Sequence, residues 1–493
     1  MRNRILLGFV AAALVGTAAP ATAAAEKTID WQPCADAEGV ECATIEVPLD
    51  WAKPNGAKIH IGLAKRPAKD QANRIGSLLM DPGGPGGSGV GSVKSGDQFT
   101  DAVNARFDQV GFDPRGINTS SQLLCDADLA ERADAAKHPT SQADFDALAT
   151  VNRQLHDSCR ANSDGLADHV DNLATVRDMD AIRAALGEKK LNFVGYSYGS
   201  LMGQQYAERF PHRIRAFVMD GNMDHSLKTA WDFMRTETAP VERAFVEFAR
   251  WCDTTPECAL YGQDTKATYA DLRARANDGT LVDPDGTPLD FYGLSQYAFA
   301  TTRPALWDDV AEAFKTLRDG VGTVHTGFAA VDNIPYPSIW CSDWNYPIRD
   351  YAEYRSLRTR LALKFPNVQW SPYVDHALTC VGSGTENTNP QRRLDIDDAP
   401  PLVMIGNVHD PATVYEWNVA AARQSGARLI TYEGWGHTAY GLGGPSECVN
   451  DAVDRYLIDL KPPKRGLSCP ATEVPGQAPA SLSERPVAGP YES

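Results

Sequence analysis

The sequence predicts an α/β fold, a mostly parallel sheet with helices on both faces and an inserted, mainly helical cap. Three observations predict it. Short apolar runs alternate with amphipathic stretches up to about residue 224, and again after residue 400. Glycine-rich loops follow several of these runs, where open α/β sheets place their sites. Between the two stretches, residues 225–375 carry helix-like patterns and no clear strand.

The elements follow in order. Residues 1–23 read as a secretory signal: Arg2 and Arg4 precede an apolar run over 5–16, and Ala21-Thr22-Ala23 offers a small-x-small cleavage site, with Ala23-Ala24-Ala25 a second. That run is shorter than the ~20 residues needed to span a bilayer. Residues 43–51 and 58–65 form a hairpin that turns at Pro54-Asn55-Gly56. Residues 77–80 and 109–112 are short buried strands, the first ending at a glycine-rich loop. A helix over 175–186 places Val176, Met179, Ile182 and Leu186 on one face, with Thr175 and Asp178 as a capping box and Gly187 at its end. A strand over 191–194, a helix over 201–210 and a strand over 216–219 complete the first part. The insert shows helices at 241–251 and 307–317. A strand at 402–405, a helix at 414–424 and a strand at 428–432 resume the core. The predicted units are therefore a core of 24–224 plus 376–469, a cap of 225–375, and a Pro-, Ala- and Ser-rich disordered tail of 470–493.

Composition narrows the function classes. Of 493 residues, 43% are hydrophobic and 23% charged, which excludes long disorder, collagen and a polytopic membrane protein. The formal net charge is −17. Such a surface repels phosphate backbones and acidic lipids, so neither nucleic acid nor stable membrane association is expected. Ten cysteines in a chain with an export signal point to disulfides and a secreted protein. Sequence does not fix their pairing; proximity suggests Cys34–Cys42, Cys125–Cys159, Cys252–Cys258, Cys341–Cys380 and Cys448–Cys469. No CxxC or HExxH pattern occurs, so no metal site is expected.

Gly195-Tyr196-Ser197-Tyr198-Gly199 matches the nucleophile elbow GxSxG, with a strand entering and a helix leaving. The turn is tight enough to demand small residues two positions either side of Ser197. A serine hydroxyl needs a base. His437, in Gly434-Trp435-Gly436-His437, follows the strand ending at residue 432. Asp410 follows the strand at 402–405 and is the orienting acid, capping of the next helix being its alternative role. The order Ser, Asp, His is that of a hydrolase triad on an α/β sheet.

The loop from Asp81 to Gly89 contains a formal dinucleotide fingerprint at Gly84, Gly86 and Gly89. Three grounds argue against nucleotide binding: the export signal, the preceding hairpin, and the lack of a helix pattern starting promptly after Gly89. The loop instead stands where such a hydrolase builds half of its oxyanion hole. The expected donors are the N–H groups of Gly84 and Tyr198; Pro85 has none to give.

Taken together, Pro82-Gly83-Gly84-Pro85-Gly86, Asp113-Pro114-Arg115-Gly116, the elbow at Ser197, Asp220-Gly221 and the Asp410 and His437 blocks resemble the secreted actinobacterial tripeptidyl aminopeptidases. These belong with the proline iminopeptidase-like α/β-hydrolases, and the likeness spans roughly residues 30–470. Cys448 and Cys469 stand where that family's C-terminal pair is expected. Pro82 departs from the histidine that usually opens the loop in proline iminopeptidases, so strict single-proline release is not expected. The resemblance implies a serine exopeptidase that releases short peptides, tripeptides above all, from a free N-terminus; a monomer needing no cofactor is expected. It also implies a cap that limits the chain bound ahead of the scissile bond, and an acid there to bind the substrate ammonium. Asp343, in Trp340-Cys341-Ser342-Asp343-Trp344, is the candidate, a solvated or capping aspartate being the alternative. The rival readings are an esterase or lipase with the same triad, a non-catalytic binding protein on this fold, and an endopeptidase.

Overall fold

The apolar runs become the central strands of a ten-stranded sheet in a computed structural model that describes residues 29–283, 285–320, 336–441 and 443–476. The expected signal at 1–23 and the tail from 477 lie outside the described residues. The strands are β1 (Gln32–Pro33), β2 (Glu41–Pro48), β3 (Lys58–Arg66), β4 (Gly76–Asp81), β5 (Phe107–Phe112), β6 (Leu191–Tyr196), β7 (Ile214–Asp220), β8 (Val403–His409), β9 (Arg428–Trp435) and β10 (Leu467–Cys469). Their order across the sheet is β1-β2-β3-β5-β4-β6-β7-β8-β9-β10. The first three are antiparallel, with Cys42 opposite Ala64 and Leu63 opposite Phe112; from β5 to β10 all neighbours are parallel.

The parallel strands are apolar throughout because both faces are covered. Alternate residues divide between two cores: Leu79, Phe193, Phe217 and Met219 face one, and Leu78, Met80, Val194 and Val218 the other. The helices Asn172–Ala185, Tyr198–Arg209 and Tyr415–Ser425 cover the first face. Gly89–Ser95, Asp101–Arg106 and Glu447–Asp459 cover the second.

Several sequence expectations change here. The helix expected from residue 175 starts at Asn172, and Asp171, not Thr175, caps it by accepting from the Ala174 amide. Asp178 is not a capping partner: it accepts two 2.7 Å hydrogen bonds from the buried Arg115 guanidinium. Arg115 also donates to the carbonyls of Pro48, Leu49 and His169, so the Asp-Pro-Arg-Gly motif ties the hairpin to the helix. A helix does begin at Gly89, capped by Ser88, which removes one ground for rejecting the dinucleotide fingerprint. Its sequence, GVGSVKS, is too poor in helix formers to announce it. Residues 470–476, expected in the disordered tail, are seated: Tyr432 donates to Glu473, and the Gly476 amide donates to Pro304.

Between β7 and β8 the described residues form helices, including Ala230–Thr254, Thr265–Asn277, Phe291–Ala300, Trp307–Asp319, Tyr336–Asp343 and Tyr351–Lys364, plus one isolated bridge between Val282 and Pro288. The first runs from Ala230 through Pro240, whereas the sequence reading began this helix at residue 241. This helical insert rests on a second helical layer, Ala127–Ala135 and Gln142–Asn162, that the sequence reading did not find. Asn152 donates to the carbonyls of Leu378 and Val381, and His138 bonds to Asp375. All five proximity pairs form disulfides, and no cysteine is free. No helix among the described residues is long and apolar enough to cross a membrane.

Candidate active site

Ser197 sits between the end of β6 and its following helix at φ 53°, ψ −120°, a conformation a non-glycine residue adopts only when its surroundings impose it. The surroundings are tight. A Cβ on Gly195 would lie 2.4 Å from the Gly199 carbonyl oxygen, and one on Gly199 would lie 2.8 Å from the Asp81 carbonyl oxygen. The Ser197 amide donates to the Asp220 carbonyl at 2.8 Å, which fixes the nucleophile's backbone to the end of β7.

Asp410 and His437 meet as expected. His437 Nδ1 lies 2.9 Å from Asp410 Oδ2 and 3.1 Å from Oδ1. Asp410 is fully buried and also accepts from the amides of Ala412 and Thr413 and from the Thr413 hydroxyl. The helix-capping alternative does not hold: the next helix, Tyr415–Ser425, begins at Val414 with no side-chain cap, and Asp410 instead ties the turn ahead of it. The His437 ring lies over Gly221, where a Cβ would come 3.0 Å from its Cε1, next to the residue whose carbonyl holds Ser197. Its Nε2 is buried and has no hydrogen-bond partner among the described residues. Burial disfavours the imidazolium, but the Asp410 carboxylate, with Asp220 behind it, outweighs burial and raises the His437 pKa above its ordinary value; Arg303 opposes them.

The glycine loop rests on this elbow. A Cβ on Gly83 would sit 2.9 Å from both the Ser197 Cβ and the Tyr198 nitrogen. The Gly83 amide is committed to Asp81 Oδ1 at 2.8 Å. The next amide, that of Gly84, makes no hydrogen bond among the described residues. Tyr198 is the first residue of its helix, so its N–H has no intrahelical acceptor. The two amides expected as oxyanion donors thus make no hydrogen bond among the described residues, and Gly84 directly follows the glycine that touches the elbow.

Asp343 requires a correction. It is fully buried, and its carboxylate is already occupied. Oδ1 accepts from the Asn172 amide at 3.0 Å and from Asn389 at 2.6 Å, and Oδ2 accepts from the Tyr198 hydroxyl. Burial, with Asp171 adding to it, pushes its pKa up to about 7. Asp343 is packed under the elbow and has no acceptor left to offer a substrate ammonium.

Glu237 is a buried acid that the sequence reading did not single out. It lies in the helix Ala230–Thr254 at 1% exposure, and its Oε2 has no partner among the described residues. It is within electrostatic reach of Asp410, Tyr346 and Tyr373. Burial and then Asp410 hold its carboxyl well above the usual range. A signal was present: Glu237 shares a helical stripe with Phe233, Val241, Phe245 and Phe248, all buried. An acid on an apolar stripe is costly unless something charged meets it.

The chain is similar to characterised families. Residues 366–469 match the family model described as TAP-like protein. The tripeptidyl aminopeptidase of Streptomyces lividans is 31% identical, the alignment covering 93% of this chain and 90% of that protein. Serine protease Hip1 of Mycobacterium tuberculosis is 29% identical, covering 90% of this chain and 91% of the relative. Carboxylesterase B of Mycobacterium tuberculosis is 32% identical, covering 87% and 86%.

Proposed function

The chain belongs to the tripeptidyl aminopeptidase family of α/β-hydrolases and is a serine hydrolase of the aminopeptidase class, and from that premise we propose that it is exported and releases tripeptides from the free N-termini of peptides. Ser197 attacks the scissile carbonyl while His437 Nε2 takes its proton. Asp410 holds the imidazole and stabilises its charged form. The amides of Gly84 and Tyr198 stabilise the tetrahedral oxyanion. His437 then protonates the leaving amine, and water, activated by the same imidazole, cleaves the acyl-enzyme and restores Ser197. The observation that carries this reading is the Asp410–His437 pair, with Nε2 buried and unpartnered beside the residue that holds the Ser197 backbone.

The helical insert acts as the cap, and Glu237 replaces Asp343 as the acid that meets the substrate ammonium. Burial holds the Glu237 carboxyl above its usual range, and an arriving ammonium, an opposite charge, favours its ionised form. The five disulfides support an oxidising, extracellular setting.

Chromogenic anilides of one, two and three residues, with free and acetylated N-termini, test the proposal. The free tripeptide is expected to be turned over fastest and its acetylated form poorly. Equal rates on the acetylated form would make the enzyme an endopeptidase. The 32% identity to a carboxylesterase favours one second reading, an esterase. Cleavage of p-nitrophenyl esters with no cleavage of any anilide would decide for it.

A further inference from the structure

Asp220 and Gly221 stand out in the sequence, yet the proposed chemistry assigns Asp220 no task. The side chain of Asp220 is fully buried at the end of β7. Its Oδ2 accepts from the amides of Ala439 at 2.7 Å and Tyr440 at 2.8 Å, just past His437 in the chain. Its backbone carbonyl accepts from the Ser197 amide at 2.8 Å. One residue thus touches the nucleophile turn with its main chain and the histidine loop with its side chain.

That loop needs holding. Thr438, directly after His437, sits at φ 66°, a genuine outlier for a β-branched residue. Such backbone persists only where neighbours over-determine it. Asn407 on β8 donates to the carbonyls of Gly436 and Thr438 at 2.9 and 3.0 Å. Asp220 takes the amides on the far side. Between them the strained residue is gripped from both ends, and the imidazole is set over Gly221.

We infer that Asp220 is a positioning residue that keeps His437 in register with Ser197. The inference rests on the proposed roles of those two residues. Loss of the Oδ2 acceptor would leave two buried amides unpaired and release the strain at Thr438. A displacement of about 1 Å at a catalytic group costs about 100-fold in turnover. The carboxylate also bears on the His437 titration. The charged or titratable groups facing His437 are Asp410 from the loop after β8, Asp220 from β7 and Arg303 from the insert; Asp220 itself also faces Tyr196. Burial pushes Asp220's own carboxyl up to about 7, so its charge acts on the upper part of the His437 titration; there it raises the His437 pKa, and removing it keeps the imidazole basic further into acid.

The experiment compares the whole enzyme with Asp220→Ala, Asp220→Asn and Ser197→Ala on a free tripeptide anilide across pH. Asp220→Ala is expected to lose about 100-fold in kcat with KM changed less than about threefold. Asp220→Asn keeps an acceptor for both amides. It is expected to retain most of kcat, while the acidic limb of its kcat/KM profile moves to lower pH. A folded Asp220→Ala with unchanged kcat, or an Asp220→Asn that loses kcat as fully as Asp220→Ala, overturns the inference. If Asp220→Ala does not fold, Asp220→Ser, whose short hydroxyl does not reach both amides, takes its place in the same kcat comparison. Persistent activity in Ser197→Ala would instead sink the triad, a different failure from the two above.

Discussion

Glu237→Gln isolates one charge at one place. The substitution keeps shape and removes only the ability to ionise. Oε2 has no protein partner among the described residues, so no existing hydrogen bond is broken by the change. Melting should accordingly stay within a few degrees of the parent. If the substrate ammonium binds here, the variant loses a charge-assisted hydrogen bond, worth about 1.5–3 kcal/mol. At 1.4 kcal/mol per tenfold, that is about 10- to 150-fold in kcat/KM. The loss should fall mainly on KM, because the ammonium is remote from the reacting carbonyl and is bound in ground and transition states alike. The assay is steady-state hydrolysis of one tripeptide anilide with its N-terminus free and acetylated. Glu237→Gln should lower the rate on the free substrate and leave the acetylated one unchanged, collapsing the preference between them. A variant that keeps the full preference for the free N-terminus would refute the assignment.

Three further outcomes are expected. The kcat/KM profile should fall on acidification with a midpoint above 6.5, the ordinary histidine value, because the raised pKa of His437 means its basic form is lost at higher pH; a pH–rate series on the free tripeptide measures it. Gly199→Ala should lose activity and about 1–3 kcal/mol of stability, because its Cβ would sit 2.8 Å from Asp81 oxygens at the end of β4; denaturant titration measures the cost. Replacing Cys125 and Cys159 with serine opens a loop of sequence separation 34 and should cost about 4 kcal/mol by chain entropy, with kcat at 25 °C little changed.

What could be read from the chain depended on how local its cause was. Ser197, Asp410 and His437 each follow a short apolar strand, so pattern and order singled them out, and Asp410 and His437 do meet. The same is true of the five disulfides, each of which joins cysteines adjacent in sequence order. Asp343 misled because its neighbours, two tryptophans and a cysteine, suggest a pocket wall. Its true environment comes from Asn172, Tyr198 and Asn389, which lie far apart in the chain. Glu237 escaped because its neighbours Asp410 and Tyr373 arrive from more than a hundred residues away. The helix at Gly89 was hidden by glycine and serine, whose helix propensity is low and which fold there because Asp113 accepts from Ser88 and Val90.

The Tyr198 side chain has a consequence for how this enzyme could change. Its amide stands beside the nucleophile, while its hydroxyl donates to Asp343 at the end of a helix in the insert. The insert, where selectivity would be tuned, is therefore bolted to the turnover machinery. Drift or grafting in that unit can alter catalytic speed without touching the substrate, and a transplanted insert that omits Asp343 and Asn389 would arrive with its host's nucleophile unbraced. On the proposed roles, this contact couples selectivity to rate, and directed evolution should find them moving together.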